Sequence, residues 1–172
     1  TIDSYCTLGY DMIYAPGNQY TDAVLQAAAE YPDIAFALLN GAADTPAKAE
    51  NGNVSSLLPN ATQIGWIAGA LAGLMTETGT IAFIGGMELD TTKAKVECYE
   101  KAAQKINPDI KVSSAYAGSF SDTAKGKEIA ASMVTTYDVD VMFGDASAVD
   151  TGAREALAGQ EGRYDIGQPG DL

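Results

Sequence analysis

Histidine is absent from the chain, and its absence removes the Ser-His-Asp and Cys-His arrangements of nucleophilic catalysis, the HExxH zinc site and any histidine-bound metal. Positive charge is scarce. With 10 Lys+Arg against 23 Asp+Glu the formal net charge is −13, which argues against a nucleic-acid partner, since that binding rests on cations neutralising phosphates. The same balance disfavours docking on an anionic lipid surface. Cysteine is limited to Cys6 and Cys98, far apart and in no CxxC pattern; two unlinked small core residues are expected in preference to a disulfide. Long apolar runs are missing too. The most apolar stretch, Ile64 to Met75, covers about 12 residues where a bilayer span takes roughly 20. The opening Thr1-Ile2-Asp3-Ser4-Tyr5 reads as mature protein rather than a cleavable leader.

What remains is ordinary globular material of 172 residues, 47% hydrophobic, with 18 glycines, enough for one domain or two small lobes. Strand and helix signals alternate along it. Tyr10 to Ala15 is a short apolar run closed by Pro16-Gly17. Tyr20, Val24, Ala27, Ala28 and Tyr31 then mark one helical face, with Thr21 or Asp22 as its cap and Pro32 as its stop. Ile34 to Leu39 is a second strand, residues 41–53 a surface loop, and Asn53 to Leu58 a third strand. Ile64, Ile67, Ala68, Leu71, Leu74 and Met75 define a buried helix on which Gly65, Gly69 and Gly73 form a line for close approach, expected to pack against a sheet.

After Thr78-Gly79-Thr80 the series resumes. Strands are expected at Ile81 to Ile84, Ile110 to Tyr116, Val139 to Phe143 and from Tyr164. Helices are expected around Val96 to Ile106, Ile129 to Val134 and 149–158. This alternation predicts right-handed βαβ crossovers and mostly parallel sheets flanked by helices. Tyr31-Pro32-Asp33-Ile34 and Asn107-Pro108-Asp109-Ile110 echo each other as helix-to-strand joints. The expected organisation is α/β with two Rossmann-like lobes, residues 1–78 and 79–172.

Ligands of open α/β sheets bind beyond the carboxyl ends of the strands, which points to Ala15–Tyr20, Gly85–Asp90, Gly118–Asp122, Gly144–Asp150 and Gly167–Asp171. These loops are rich in Gly, Ser, Asp and Asn and suit a neutral polar ligand. No GxGxxG follows a strand, and Gly118 to Lys127 (GSFSDTAKGK) has neither the glycine spacing nor the Ser/Thr of a phosphate loop. Asp122, Asp145, Asp150 and Asp171 leave a carboxylate-pair hydrolase open, against the ordinary reading of solvated or helix-capping acids. Phe120, between two serines at a strand end, is either tucked under the next helix or a platform on which a flat ring stacks.

Tyr10-Asp11-Met12-Ile13, Tyr31-Pro32-Asp33-Ile34-Ala35-Phe36, Asn53-Val54-Ser55-Ser56-Leu57, Ala68-Gly69-Ala70-Leu71-Ala72, Thr78-Gly79, Ile84-Gly85-Gly86-Met87, Asn107-Pro108-Asp109-Ile110-Lys111-Val112 and Gly118 to Lys127 run in order along the chain. Together they resemble the basic membrane protein family, substrate-binding lipoproteins of ABC importers whose best-known type binds purine nucleosides. The resemblance implies two lobes of periplasmic-binding-protein type closing on a ligand about a hinge, with no catalysis, cofactor or metal. It implies ABC permease and ATPase subunits as partners, an extracytoplasmic location, and membrane attachment only through a lipid anchor that Cys6 does not match. Phe120 matches the Phe of the family's Gly-Ser-Phe-Ser-Asp motif and is expected to stack on the nucleobase. Asp171 matches the second acid of a sugar-binding pair whose first position is Pro169 here.

Gly17-Asn18 stands where family members often carry an aromatic after the glycine, Tyr20 stands where Phe is usual, and Gly144-Asp145-Ala146-Ser147-Ala148 replaces a glycine-rich loop. The expected ligand-binding set is thus Gly17, Asn18, Tyr20, Phe120, Asp145 and Asp171, in a pocket more polar than usual. The resemblance also implies that both lobes lack elements at the chain's ends. A sugar- or nucleoside-processing α/β enzyme with an Asp pair, and a ligand-sensing module, are the alternative functions.

Overall fold

The computed structural model describes residues 2–42 and 44–168. The chain divides into two compact units, Thr1–Asn60 and Ala61–Leu172.

The first unit runs α1 (Ile2–Thr7), β1 (Met12–Ala15), α2 (Thr21–Glu30), β2 (Ala35–Leu39) and β3 (Val54–Leu57). Its parallel sheet has the order β1-β2-β3. Ile13 and Ala15 of β1, Phe36 and Leu38 of β2 and Val54 of β3 face a core completed by Cys6 of α1 and by Val24, Ala27 and Ala28 of α2. Period-two alternation sends Met12 and Tyr14 to the opposite face, where both are exposed. Asn53 fastens the layers, its Nδ2 donating to the carbonyls of Ala28, Tyr31 and Ile34.

The second unit runs α3 (Ala61–Met75), β4 (Thr80–Gly85), α4 (Asp90–Ile106), β5 (Lys111–Tyr116), α5 (Thr123–Tyr137), β6 (Val141–Asp145), α6 (Ala148–Leu157) and β7 (Tyr164–Ile166). Its strands are parallel in the order β5-β4-β6-β7. Alternation on β4 and β6 separates two cores. Ile81, Phe83, Val141 and Phe143 meet Ala68 and Ala72 of α3 and Tyr99 and Ala103 of α4. Ala82, Ile84 and Met142 meet Ala130 and Met133 of α5 and Val149, Ala153 and Leu157 of α6. Both sheets are therefore of the parallel, helix-flanked kind that the alternating signals predict.

Four features differ from the sequence expectations. Gly65, Gly69 and Gly73 are applied to α4 rather than to a sheet: a β-carbon at Gly65 or Gly69 would run into the carbonyl oxygens of Lys95 and Tyr99. Because α3 is held by α4, the compact units part at 60/61 instead of 78/79. The helix α1 lies where no element was expected, since its six residues are too few to show a period. The cysteines are free, Cys6 buried in the first core and Cys98 half-buried on α4, outside the core positions expected of it.

The entry to β4 is braced by Asp140, which is almost fully buried. Its Oδ1 accepts from Thr76 Oγ1 at 2.7 Å, and its Oδ2 accepts from the Glu77 and Thr78 amides at 2.6 and 2.9 Å. A buried carboxylate with several charge-assisted bonds locates the turn between α3 and β4.

Adding one methyl group to the α3–α4 contact should separate the helices. Gly69→Ala is expected to lower stability by about 1–3 kcal/mol, despite the better helix propensity of alanine. The check is the urea midpoint, which should fall with little change in slope.

Candidate functional site

The carboxyl ends of β4, β5 and β6 are joined into one surface by their own backbones. Ala117 and Ser119 donate their amides to the carbonyls of Gly85 and Gly86 at 2.8 and 3.0 Å, Gly86 donates to Asp145 at 3.0 Å, and Ala148 donates to Phe120 at 3.0 Å. Gly118 turns the chain with φ +71°, a conformation that favours glycine. Beyond it, Ser119 Oγ accepts the amides of Ser121 and Asp122. Asp122 then caps α5 by accepting from the Lys125 amide at 2.9 Å. That use as an N-cap is the ordinary one for an acid in this position.

Phe120 is half-buried, with one edge of its ring against Gly86, where a β-carbon would collide with it. That packing is against the backbone after β4, and the residue as a whole is only partly covered. Asp145, on the last position of β6, joins a three-membered polar group. Its Oδ1 accepts from Lys95 Nζ of α4 at 2.5 Å and from Gln168 Nε2 at 3.2 Å. The same Gln168 amide donates to the Gly144 carbonyl at 2.6 Å, and Lys95 Nζ reaches Gln168 Oε1 at 3.4 Å. The Lys95 and Asp145 side chains are only 12% and 23% exposed.

Below this group lies Asp150. Its Oδ2 accepts from the Ala146 amide at 2.8 Å, whereas Oδ1 is buried without a partner among the described residues. Burial pushes its carboxyl up to about 6, against the Ala146 hydrogen bond, and the nearby charges of Asp165 and Asp145 add to the rise. Asp165 pairs with Arg154 Nε at 3.1 Å, yet burial outweighs that partner and its carboxyl is also raised. Ser147 has φ 58° and ψ −118°, a strained backbone for an L-residue, of the kind concentrated at functional loops.

In the first unit, Gly17, Asn18 and Tyr20 gather beyond β1. Gly17 is buried, and Thr21 Oγ1 donates to both the carbonyl and Oδ1 of Asn18 at 2.7 and 2.9 Å. Thr21 is therefore used at the start of α2 without acting as its cap, since Tyr20 occupies that position with no side-chain bond. Tyr20 lines a surface cavity of about 510 Å³ together with Tyr10, Met12, Tyr14 and Pro16. Phe120 and Asp145 come together in the second unit. Asp171 and Pro169 lie outside the described residues.

Lys95 and Gln168 are additions that sequence reasoning missed, whereas Asp150 was named among the loop acids without its burial. Lys95 sits four residues before the buried Tyr99 on α4, and a lysine on an apolar helical face calls for a buried partner. Chemically, the surface offers an aromatic ring, carboxylate and carbonyl acceptors and a lysine already neutralised by an acid. No group of three or more His, Cys, Asp or Glu suited to a metal occurs among the described residues.

Residues 2–168 match the family described as "ABC transporter substrate-binding protein PnrA-like". The chain is 38% identical over 144 residues to an ABC transporter nucleoside-binding protein, BmpA, of Lactococcus lactis subsp. cremoris, covering 84% of this chain and 39% of that one. It is 31% identical over 161 residues to basic membrane protein A of Borreliella burgdorferi, covering 92% and 46%. A solved solute-binding protein of an ABC transporter system from Aeropyrum pernix K1 superposes with a TM-score of 0.82 at 24% identity, over 96% of this chain and 48% of that one. The chain thus spans about half the length of these proteins or less.

The raised Asp150 carboxyl makes stability depend on pH. A folded-state value of about 6 against 3.8 means that the protonated acid favours the fold. That contribution is full below the unfolded value and is lost as pH rises through about 6. Asp150→Asn, which keeps the shape of the neutral form, should raise the unfolding temperature near neutral pH, by an equivalent of up to ~3 kcal/mol. The difference should shrink as the melts are taken toward pH ~4.

Proposed function

This chain belongs to the ABC transporter substrate-binding protein PnrA-like family, and from that premise we propose that it serves as the solute-binding part of an importer for an uncharged, nucleoside-like molecule. In this reading the protein is not an enzyme. It binds its ligand outside the cytoplasm, is held at the membrane by a lipid anchor as is typical of the family, and delivers the ligand to the permease and ATPase subunits. Affinity that differs between open and closed forms would drive the shape change.

The observation that carries the reading is the placement of Phe120. The ring lies at the carboxyl end of the second sheet, half-exposed, one backbone hydrogen bond from the Asp145 loop. A flat apolar ring beside carboxylate acceptors suits a molecule with a planar base on one side and hydrogen-bond donors on the other. The name of the Lactococcus lactis relative, a nucleoside-binding protein, supports the same ligand class. Gly17, Asn18, Tyr20 and Asp171 complete the proposed ligand-binding set.

The acid chemistry supports binding over hydrolysis. Asp122 is used as a helix cap, Asp145 is held by Lys95 and Asp150 is buried beneath the loop. None of these is an exposed pair of free carboxylates flanking a bond to be broken.

Isothermal calorimetry of the full-length protein with a nucleoside panel should give saturable heat, and the ligand should be recovered intact. Formation of free base or sugar would instead establish the enzyme alternative. Base–aromatic stacking contributes on the order of 1–3 kcal/mol, so Phe120→Ala should weaken the best nucleoside roughly ten- to a hundredfold. Phe120→Tyr should be milder, and an unchanged affinity in the alanine variant would remove the stacking role.

A further inference from the structure

We infer that the Lys95–Asp145 pair is a charge selector: Lys95 acts as a positioning residue that holds one oxygen of Asp145 and leaves the other to accept a hydroxyl or amino donor from an uncharged ligand. The inference rests on the reading of these strand ends as the ligand-facing surface.

The geometry separates the two carboxylate oxygens. Both hydrogen bonds to Asp145, from Lys95 Nζ and Gln168 Nε2, arrive at Oδ1. Among the described residues none arrives at Oδ2. Gln168 is itself fixed on the Gly144 carbonyl, so the carboxylate is held from two directions at one end of β6. An acceptor fixed in this way gains more from a donor than a freely rotating one, since its ordering cost is met before binding.

The same pair decides what the surface refuses. The Lys95 ammonium is neutralised by Asp145 and shared with Gln168 Oε1. Arg154, a second cation of this unit, is taken by Asp165. A phosphate arriving here would meet carboxylate charge and find both of these cations already committed, so the phosphorylated form of a ligand is disfavoured although its base and sugar are identical.

The test uses the full-length protein as wild type, Lys95→Gln, Lys95→Arg and Asp145→Asn, with adenosine, guanosine, cytidine and uridine and their 5′-monophosphates in calorimetry. The wild type should bind a nucleoside and bind its monophosphate at least roughly a hundredfold more weakly. Asp145→Asn should weaken the nucleoside roughly tenfold and narrow the nucleoside-to-monophosphate ratio by a similar factor, because Lys95 is released. Lys95→Gln should weaken the nucleoside without gain for the monophosphate, and Lys95→Arg should restore it. A merely structural tie would lower the melting temperature and leave the ratio alone.

An unchanged ratio in Asp145→Asn, or wild-type affinities in Lys95→Gln, overturns the selector. If Lys95→Gln does not fold, the near-isosteric Asp145→Asn decides alone. Ribose and glucose with their phosphates form a second set of probes. Binding of a sugar but no nucleoside defeats the nucleoside reading, and the selector then stands or falls on the sugar-to-sugar-phosphate ratio. Binding of neither class overturns both.

Discussion

A side chain of any size at Gly86 would collide with the Phe120 ring, and one at Gly144 would collide with the Asp150 carboxylate. These two positions lie at the carboxyl ends of neighbouring strands, β4 and β6, which pair residue for residue up to Gly85 and Asp145. The lack of a β-carbon lets the loop from β5 fold down onto β4 and lets the first turn of α6 come up beneath β6. Ring and carboxylates are thereby brought to the same edge. A parallel sheet naturally aligns its strand ends on one side, but the use made of that side here depends on backbone exposed at just these points.

The rest of the second unit keeps that edge in register. Phe83, Tyr99 and Phe143 form a buried aromatic group with centroid separations of 6.2, 5.7 and 5.6 Å, spanning β4, α4 and β6. Tilted, edge-to-face and stacked contacts of this kind add directional preference to apolar burial. Lys95 lies on the same helix as Tyr99, so the aromatic packing that fixes α4 against the sheet also sets where the lysine can reach. At the opposite end of the sheet, Asp140 holds the α3–β4 turn. Core and site are linked through shared elements, and side chains can be placed at the carboxyl edge with little freedom.

Much of this architecture was legible in the sequence because a half- or fully buried element leaves a period. The run from Ile81 to Ile84 announced β4, and Val96, Tyr99, Ala103 and Ile106 announced α4. Asp122 was readable as a cap and Phe120 as a strand-end aromatic. What was not legible concerns the partner of each pattern. Three glycines on one line require a close neighbour, but the spacing is the same whether that neighbour is a helix or a sheet. The exchange of one for the other moved α3 between units. Likewise, Asp145 was visible as a polar departure in a loop, but its partner Lys95 lies 50 positions away. Only the fold, by placing the second turn of α4 beside the end of β6, makes them neighbours. The burial that raises the Asp150 carboxyl is equally a product of three elements and has no local signature.

Energetics also distinguish a tie from a selector. A lysine and an aspartate drawn largely out of water lose much of their hydration, and the attraction between them roughly offsets that loss rather than exceeding it. Apolar side chains of similar size would join α4 to β6 as well, or better, at a place already rich in alanine, valine and phenylalanine. The pair therefore has little advantage as a device for holding the unit together. Its advantage is local and chemical: it sets an anion at a fixed orientation on a partly accessible edge while its cation is consumed. In a chain whose net charge is −13, a solvated acid would be one among many. An acid oriented by a buried lysine, beside a half-exposed ring, is a group whose orientation has been specified by the fold, and a ligand can be matched to it.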